Sequence, residues 1–278
     1  MKQVPPAAEP AKSDLKTRAI AGVVMAGIAL GLLWLGGLAF LTLALIIGAL
    51  VLREWCTITG TAQPRSLYLV ALTVLAASFG LAGAGNWSAG FALALGGGLL
   101  IGLSGLVIRQ RALRWVGSGL IYAAVPALAL AWLRQLPDGF QIVLWVMLAV
   151  VMTDTCAYFA GRRFGGPKLA PRVSPKKTWS GLIGGMTGAA LSGWLLGALF
   201  SLPLDKALVL AGGAAVLAVV SQMGDLGESA LKRTFGVKDS GSILPGHGGI
   251  MDRVDGLVAA VPLVALAELF GFGIGALL

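Results

Sequence analysis

The chain is a succession of long apolar runs broken by short polar stretches, and the spacing of the breaks predicts an all-α protein that crosses a membrane many times. The first run, Ala19 to Leu52, holds 34 residues without a charge. One membrane-spanning helix needs about 20 apolar residues. The run is therefore too long for a single helix, and Gly36-Gly37 near its middle is the expected turn. The same reading along the chain gives about nine transmembrane helices, at 19–35, 38–54, 67–85, 88–108, 116–133, 140–161, 181–202, 207–228 and 254–276. Gly85-Asn86-Trp87 supplies the turn between the third and fourth. No internal repeat or low-complexity segment interrupts the series. Residues 1–18 are predicted to be a cytoplasmic tail. Residues 19–139 form a block of about five helices, and residues 140–278 a region whose two polar loops carry the chemistry. A cleaved signal peptide would precede a soluble chain, whereas here the remainder of the chain is equally apolar, so the first helix is expected to be an uncleaved anchor.

Composition agrees with the pattern: 57% of residues are hydrophobic and 12% charged, against roughly 25% charged in a soluble domain. The positions of Lys and Arg then orient the chain. With nine spans, only Arg134 and Lys206 of the 21 basic residues fall on one side. The side rich in Lys and Arg is the cytoplasmic one, which places the N-terminus and both polar loops in the cytoplasm. The net charge of +9 is mostly this topological signal. It lies in short loops at a membrane surface with no soluble domain to hold a duplex, so nucleic acid is not an expected partner. What remains of the charge suits anionic lipid head groups and phosphates. The two cysteines, Cys56 and Cys156, have no metal-ligand spacing and read as small apolar residues. Gly181, Gly184, Gly185 and Gly188 have small-xxx-small spacing, the pattern of closely packed membrane helices.

Ionisable groups within a bilayer are costly and mark a function or a buried pair. Three places stand out. In the sixth span, Asp154, Tyr158 and Arg162 recur every four residues and share one helix face; this is either a substrate contact or a packing pair. The stretch Gly161 to Gly181 carries Arg162, Arg163, Lys168, Arg172, Lys176 and Lys177 and no carboxylate. Six uncompensated cations suit an anion, and phosphate matches their donors; the plain alternative is a basic cytoplasmic loop. In the eighth span, Ser221, Asp225, Glu228 and Lys232 form one stripe. The next loop closes with Pro245-Gly246-His247-Gly248-Gly249, then Asp252-Arg253-Val254-Asp255. A hairpin there can bring Asp225 near Asp252, and a hard cation such as Mg²⁺ resolves their repulsion while keeping positions for substrate phosphates. Glycines beside His247 allow backbone amides to approach an anion. His247 itself is read as a phosphate donor or loop organiser before a general base.

The stretch SALKRTFGVKDSGSILPGHGGIMDRVD, Ser229 to Asp255, resembles the signature of the phosphatidate cytidylyltransferase (CDP-diacylglycerol synthase) family at all 27 positions. DTCAYFAGRRFG, from Asp154, and SPKKTWSG, from Ser174, resemble it too. The likeness covers roughly the C-terminal half. Two departures are visible: Cys156 where a small Gly or Ala is expected, and Ser180 where Glu is common. The resemblance implies transfer of a cytidylyl group from CTP to phosphatidate, giving CDP-diacylglycerol and pyrophosphate. It further implies Mg²⁺ (one or two ions), a bacterial inner-membrane location among membrane lipids, and a homodimer. Carried onto this sequence, it suggests Asp225 and Asp252 as metal ligands. Lys176, Lys177, Lys232, Arg233 and Lys238 would neutralise phosphates, with Asp239, His247 and Asp255 in support. Asp154, Ser174, Ser221, Gly248, Gly249 and Arg253 are expected to line the substrate site. Two rivals are a CTP-dependent polyprenol or phytol kinase, distinguished by a lipid-alcohol substrate, and an ion-coupled transporter using Asp154 and Asp225, distinguished by uptake without nucleotide.

Overall fold

A computed structural model describes residues 12–62, 65–241, 243 and 248–275, with side chains from residue 22 onward. Among these residues the chain forms nine helices and one small hairpin. The helices are α1 (Lys12–Leu35), α2 (Gly37–Ile58), α3 (Arg65–Gly83), α4 (Trp87–Val107), α5 (Arg111–Gln135), α6 (Gly139–Phe164), α7 (Trp179–Leu199), α8 (Leu204–Thr234) and α9 (Met251–Leu269). The hairpin strands are β1 (Lys168–Ala170) and β2 (Ser174–Thr178), antiparallel, with Lys168 opposite Thr178. Seven helices, α2 to α8, are long and apolar enough to cross a membrane. The apolar part of α1, Gly22–Leu35, is shorter, and α9 carries Asp252, Arg253, Asp255 and Glu268. The protein is an all-α, multi-pass membrane protein.

The expected glycine turns are present. Gly36 (φ 64°), Gly37 (φ 52°) and Gly85 (φ 87°) occupy left-handed backbone, where a Cβ is penalised. Arg134 explains itself at the first of these turns. Its Nε donates to Leu33 O at 2.6 Å and its Nη2 to Trp34 O at 3.1 Å. The last carbonyls of a helix lack partners within it, so this basic residue closes the C-terminus of α1.

Two apolar clusters form the interior. One joins α2, α3, α4 and α5 around Leu52, Leu75 and Leu120; the other joins α5, α6, α7, α8 and α9 around Trp145, Leu210 and Val261. The glycines of α7 let it lie directly on α6. A Cβ at Gly188 would sit 2.6 Å from Cys156 Cβ, and one at Gly185 would sit 3.0 Å from Thr153 O. Cys156 is thus a helix-contact residue, as its apolar reading implied.

Several elements differ from the sequence expectation, α1 beginning at Lys12 inside the expected tail and α9 ending at Leu269 instead of 276. Helices α6 and α8 run past the ends of their predicted spans, so Arg162, Arg163, Lys232 and Arg233 stand in final helical turns, where cations face unpaired carbonyls favourably. The polar stretch after α6 is not a plain loop. Gly165 (φ 61°) and Gly166 (φ 94°) turn the chain out of the helix, and β1 and β2 pair behind them.

Candidate active site

The C-terminal halves of α6 and α8, strand β2 and the first turn of α7 line an open cavity of about 560 Å³ whose walls include Asp154, Tyr158, Arg162, Lys176, Lys177 and Asp225. Each side chain is there for a local reason. The four-residue helical repeat stacks Asp154, Tyr158 and Arg162, and Arg162 Nη1 donates to Tyr158 Oη at 3.0 Å. Strand β2 delivers Lys176 and Lys177 and then ends in a cap: Thr178 Oγ1 accepts from Gly181 N at 3.1 Å, satisfying an orphan amide at the head of α7. Ser180, at the position of an expected Glu, donates to Gly165 O and lies 3.0 Å from Thr178 Oγ1. Trp179 N donates to Pro167 O at 3.1 Å. The departure at Ser180 therefore helps fasten the hairpin against the end of α6.

Charge inside the cavity is arranged in opposition. Lys177 forms an ion pair with Asp225 Oδ2, while Ser229 Oγ donates to Asp225 Oδ1 at 3.3 Å. Gln222 Nε2 donates to Asp154 Oδ1 at 3.3 Å. Asp255, on α9, accepts from Gly256 N at 2.8 Å, and its backbone packs against Gly224 of α8, the neighbour of Asp225. Among the described residues, no three His, Cys, Asp or Glu side chains are placed to hold a metal ion by themselves.

A second polar network stands at the junction of α8, α9 and α2. Lys232 Nζ lies 2.9 Å from Glu228 Oε1 and 2.5 Å from Asp252 Oδ1. Asp252 Oδ2 accepts from Ser240 N at 2.9 Å, Ser240 Oγ at 2.8 Å and Gly249 N at 3.1 Å. Asp252 stands ahead of the apolar stretch of α9. Partial burial there opposes its ionisation, but Lys232 and the Ser240 and Gly249 donors overcome that cost and hold its carboxyl at about 2. Glu54 of α2, only 3% exposed, completes the network: it accepts from Ile250 N at 2.9 Å, Met251 N at 2.8 Å and Ser240 Oγ at 3.0 Å.

The residues singled out in the sequence thus fall into separate places. Asp154, Lys176, Lys177 and Asp225 share the cavity. Lys232 and Asp252 share the second network, with Glu228 as the predicted partner of Lys232. The amide of Gly249 is engaged by Asp252, and Gly248 takes the left-handed conformation beside it (φ 79°). Ser221 is buried, donates to Ala218 O at 3.0 Å and packs against Gly256. Ser174 begins β2 opposite Ala170. Arg233, Lys238, Asp239 and Arg253 are exposed, and Arg233 Nη1 reaches Val237 O at 3.5 Å. His247 lies outside the described residues. Sequence reasoning passed over Gln222, Glu54 and Ser240. Gln222 was detectable as an amide beside Ser221 in an apolar helix. Glu54 reads as one more charge at the end of a span, because its partners are 186 to 197 residues away.

The fold is that of an α-helical membrane protein whose strand β2 and helix α8 set lysines against carboxylates. Residues 16–270 match the model of the cytidylyltransferase family, and the chain belongs to that family. It is 42% identical over 271 residues to a protein of Brucella suis named phosphatidate cytidylyltransferase, covering 93% of this chain and 94% of the relative. A Pseudomonas aeruginosa protein of the same name is 38% identical over 277 residues, covering 94% and 99%. An Escherichia coli relative, named uncharacterized protein YnbB, is 34% identical over 80% of this chain and 76% of its own.

Proposed function

We propose that this enzyme transfers the cytidylyl group of CTP to phosphatidate, producing CDP-diacylglycerol and pyrophosphate. The observation that carries this is the cavity that sets Lys176, Lys177 and Arg162 against Asp154 and Asp225, in a chain similar over 93–94% of its length to phosphatidate cytidylyltransferases. An oxygen of the phosphatidate phosphate attacks the α-phosphorus of CTP. A new P–O bond forms there, and the bond to the β-phosphate oxygen breaks to release pyrophosphate. That oxygen is anionic at neutral pH, so the step asks little of a base. It asks instead for cations that bring two anions together and meet the charge developing on the leaving group. Lys177 would exchange Asp225 for substrate phosphate, and Lys176, exposed at the cavity wall, would meet phosphate from solution. Asp225 would then be free for a metal.

Mg²⁺ fits this donor set. It binds through one or two carboxylates and takes its remaining oxygens from water and substrate phosphates, so a site without a three-carboxylate cage suits it. Asp225 would hold it, and Asp252 Oδ1, paired with Lys232, keeps a second lone pair for the same purpose. When bound, the ion would supply positive charge that neutralises substrate phosphate. We place the enzyme in the bacterial inner membrane with the cavity facing the cytoplasm, on the distribution of Lys and Arg, and we propose a homodimer, which cross-linking in native membranes tests.

Purified protein with labelled CTP, phosphatidate and Mg²⁺ should move label into the lipid extract. With the label in the cytidine, label that stays in the aqueous phase would overturn the assignment; transfer of a γ-phosphate label from CTP to added polyprenol or phytol would replace it with a lipid-alcohol kinase.

A further inference from the structure

We infer that Glu54, on α2, is a positioning residue for cytidylyl transfer, its buried carboxylate tying Ser240 to the head of α9 and so holding Asp252 in place. The inference rests on the activity proposed above. A helix begins with amides that have no partner within it. At the head of α9 these are taken by carboxylates: Ile250 N and Met251 N by the two oxygens of Glu54, at 2.9 and 2.8 Å, and Gly249 N by Asp252 at 3.1 Å. The positive end of the helix dipole favours anions there, which offsets the cost of burying Glu54.

The two carboxylates are joined through one hydroxyl. Ser240 Oγ lies 3.0 Å from Glu54 Oε2 and 2.8 Å from Asp252 Oδ2. It carries a single proton, shared between them, and its own oxygen faces Asp252 N at 3.4 Å. A shift of Glu54 is therefore transmitted to Asp252 by two routes, the Ser240 bridge and the first turn of α9. Two glycines of the same segment exist in the space Glu54 leaves. A Cβ at Gly241 would lie 2.8 Å from Glu54 Oε1, and one at Gly249 would lie 2.6 Å from Oε2. Backbone is thus drawn tight around this carboxylate from both ends of the segment. A carboxylate serving only the packing of α2 would need none of these contacts, since the residues around it, Val51, Leu52, Trp55 and Cys56, are buried against apolar neighbours.

The test uses the full-length purified protein and four variants: Glu54→Ala, Glu54→Gln, Ser240→Ala and, as a stability control, Leu75→Ala in the core beside α2. Thermal unfolding, kcat, the KM for CTP and hydrogen exchange of the segment 238–252 are measured for each. In Glu54→Ala, kcat should fall on the order of 10²-fold, as for a misplaced group in a site left otherwise intact. The KM should move less than about threefold, since bound substrate keeps its contacts, and exchange of the segment should rise. Glu54→Gln keeps one carbonyl oxygen to accept an amide and should recover part of kcat. The inference is overturned if Glu54→Ala keeps wild-type kcat, if its loss is no greater than that of Leu75→Ala at equal melting temperature, or if the Gln and Ala variants are alike. If Glu54→Ala does not fold, Ser240→Ala decides: a roughly tenfold lower kcat at unchanged melting temperature supports the bridge, and an unchanged kcat overturns it. A wild-type protein that forms no CDP-lipid would sink the activity proposal, while exchange in the Glu54 variants would still report the contact.

Discussion

Lys176 and Lys177 are neighbours in sequence but not in circumstance. Lys176 is exposed, whereas the Lys177 side chain is 17% exposed and paired with Asp225. Both substitutions to Ala should impair turnover, with Lys177→Ala the more severe. Loss of one donor to the transition state typically costs about 10²–10³ in rate. Steady-state kinetics separates the cases. A fall in kcat and kcat/KM together marks a contact made as pyrophosphate leaves, and a raised KM alone marks ground-state binding. Arg109→Ala and Arg114→Ala, outside every motif, serve as controls; Lys variants indistinguishable from these would reduce the loop to a topology signal. The carboxylates divide in the same way. Asp225→Asn should abolish turnover with little change in melting temperature, because Asp225 is 28% exposed at the cavity. Asp252→Asn should abolish turnover and also destabilise, since it leaves Lys232 with Glu228 as its one carboxylate partner among the described residues and weakens the acceptor for Ser240 and Gly249. Breaking a buried pair typically costs about 3–5 kcal/mol, and this one, with side chains 12% and 16% exposed, should approach the lower end of that range. The cavity residues were legible in the sequence because charges in apolar helices are rare enough to stand out. Glu54 was not, because its meaning depends on a fold that returns the chain to it from nearly 200 residues away.

At the scale of elements, helix positions followed from where apolar runs stop. The hairpin did not. Its strands are short and polar, and Ser174-Pro175-Lys176-Lys177 carries no apolar alternation to announce it. What makes it a strand is pairing with β1 and the clasp of Thr178 and Ser180 on the end of α6. The α6–α7 contact gives a sharper test of packing. Gly188→Ala puts a methyl into Cys156, and overpacking of this kind costs about 1–3 kcal/mol. The variant should melt earlier, and adding Cys156→Gly should recover part of the loss. Absence of recovery in the double variant would show that the strain lies elsewhere.

For the whole molecule, the lopsided distribution of basic residues predicts that a reporter inserted at position 170 behaves as cytoplasmic and one fused after Leu278 as external. Both reporting one side would mean that an even number of crossings follows position 170 and that the nine-span count is wrong. Chelation of divalent cations should stop turnover, and Mg²⁺ should restore it; activity that survives chelation would remove the metal from the reaction. The tie between Glu54 and the head of α9 also orders events in time. The carboxylate is made early, within the second helix, but the amides that satisfy it arrive 196 and 197 residues later. Through most of synthesis the membrane holds a bundle with an unanswered charge, and only the last helix quiets it. A chain cut short before α9 would keep that flaw and should be degraded faster in membranes than the full chain, because the helix that satisfies Glu54 is also the one that carries Asp252.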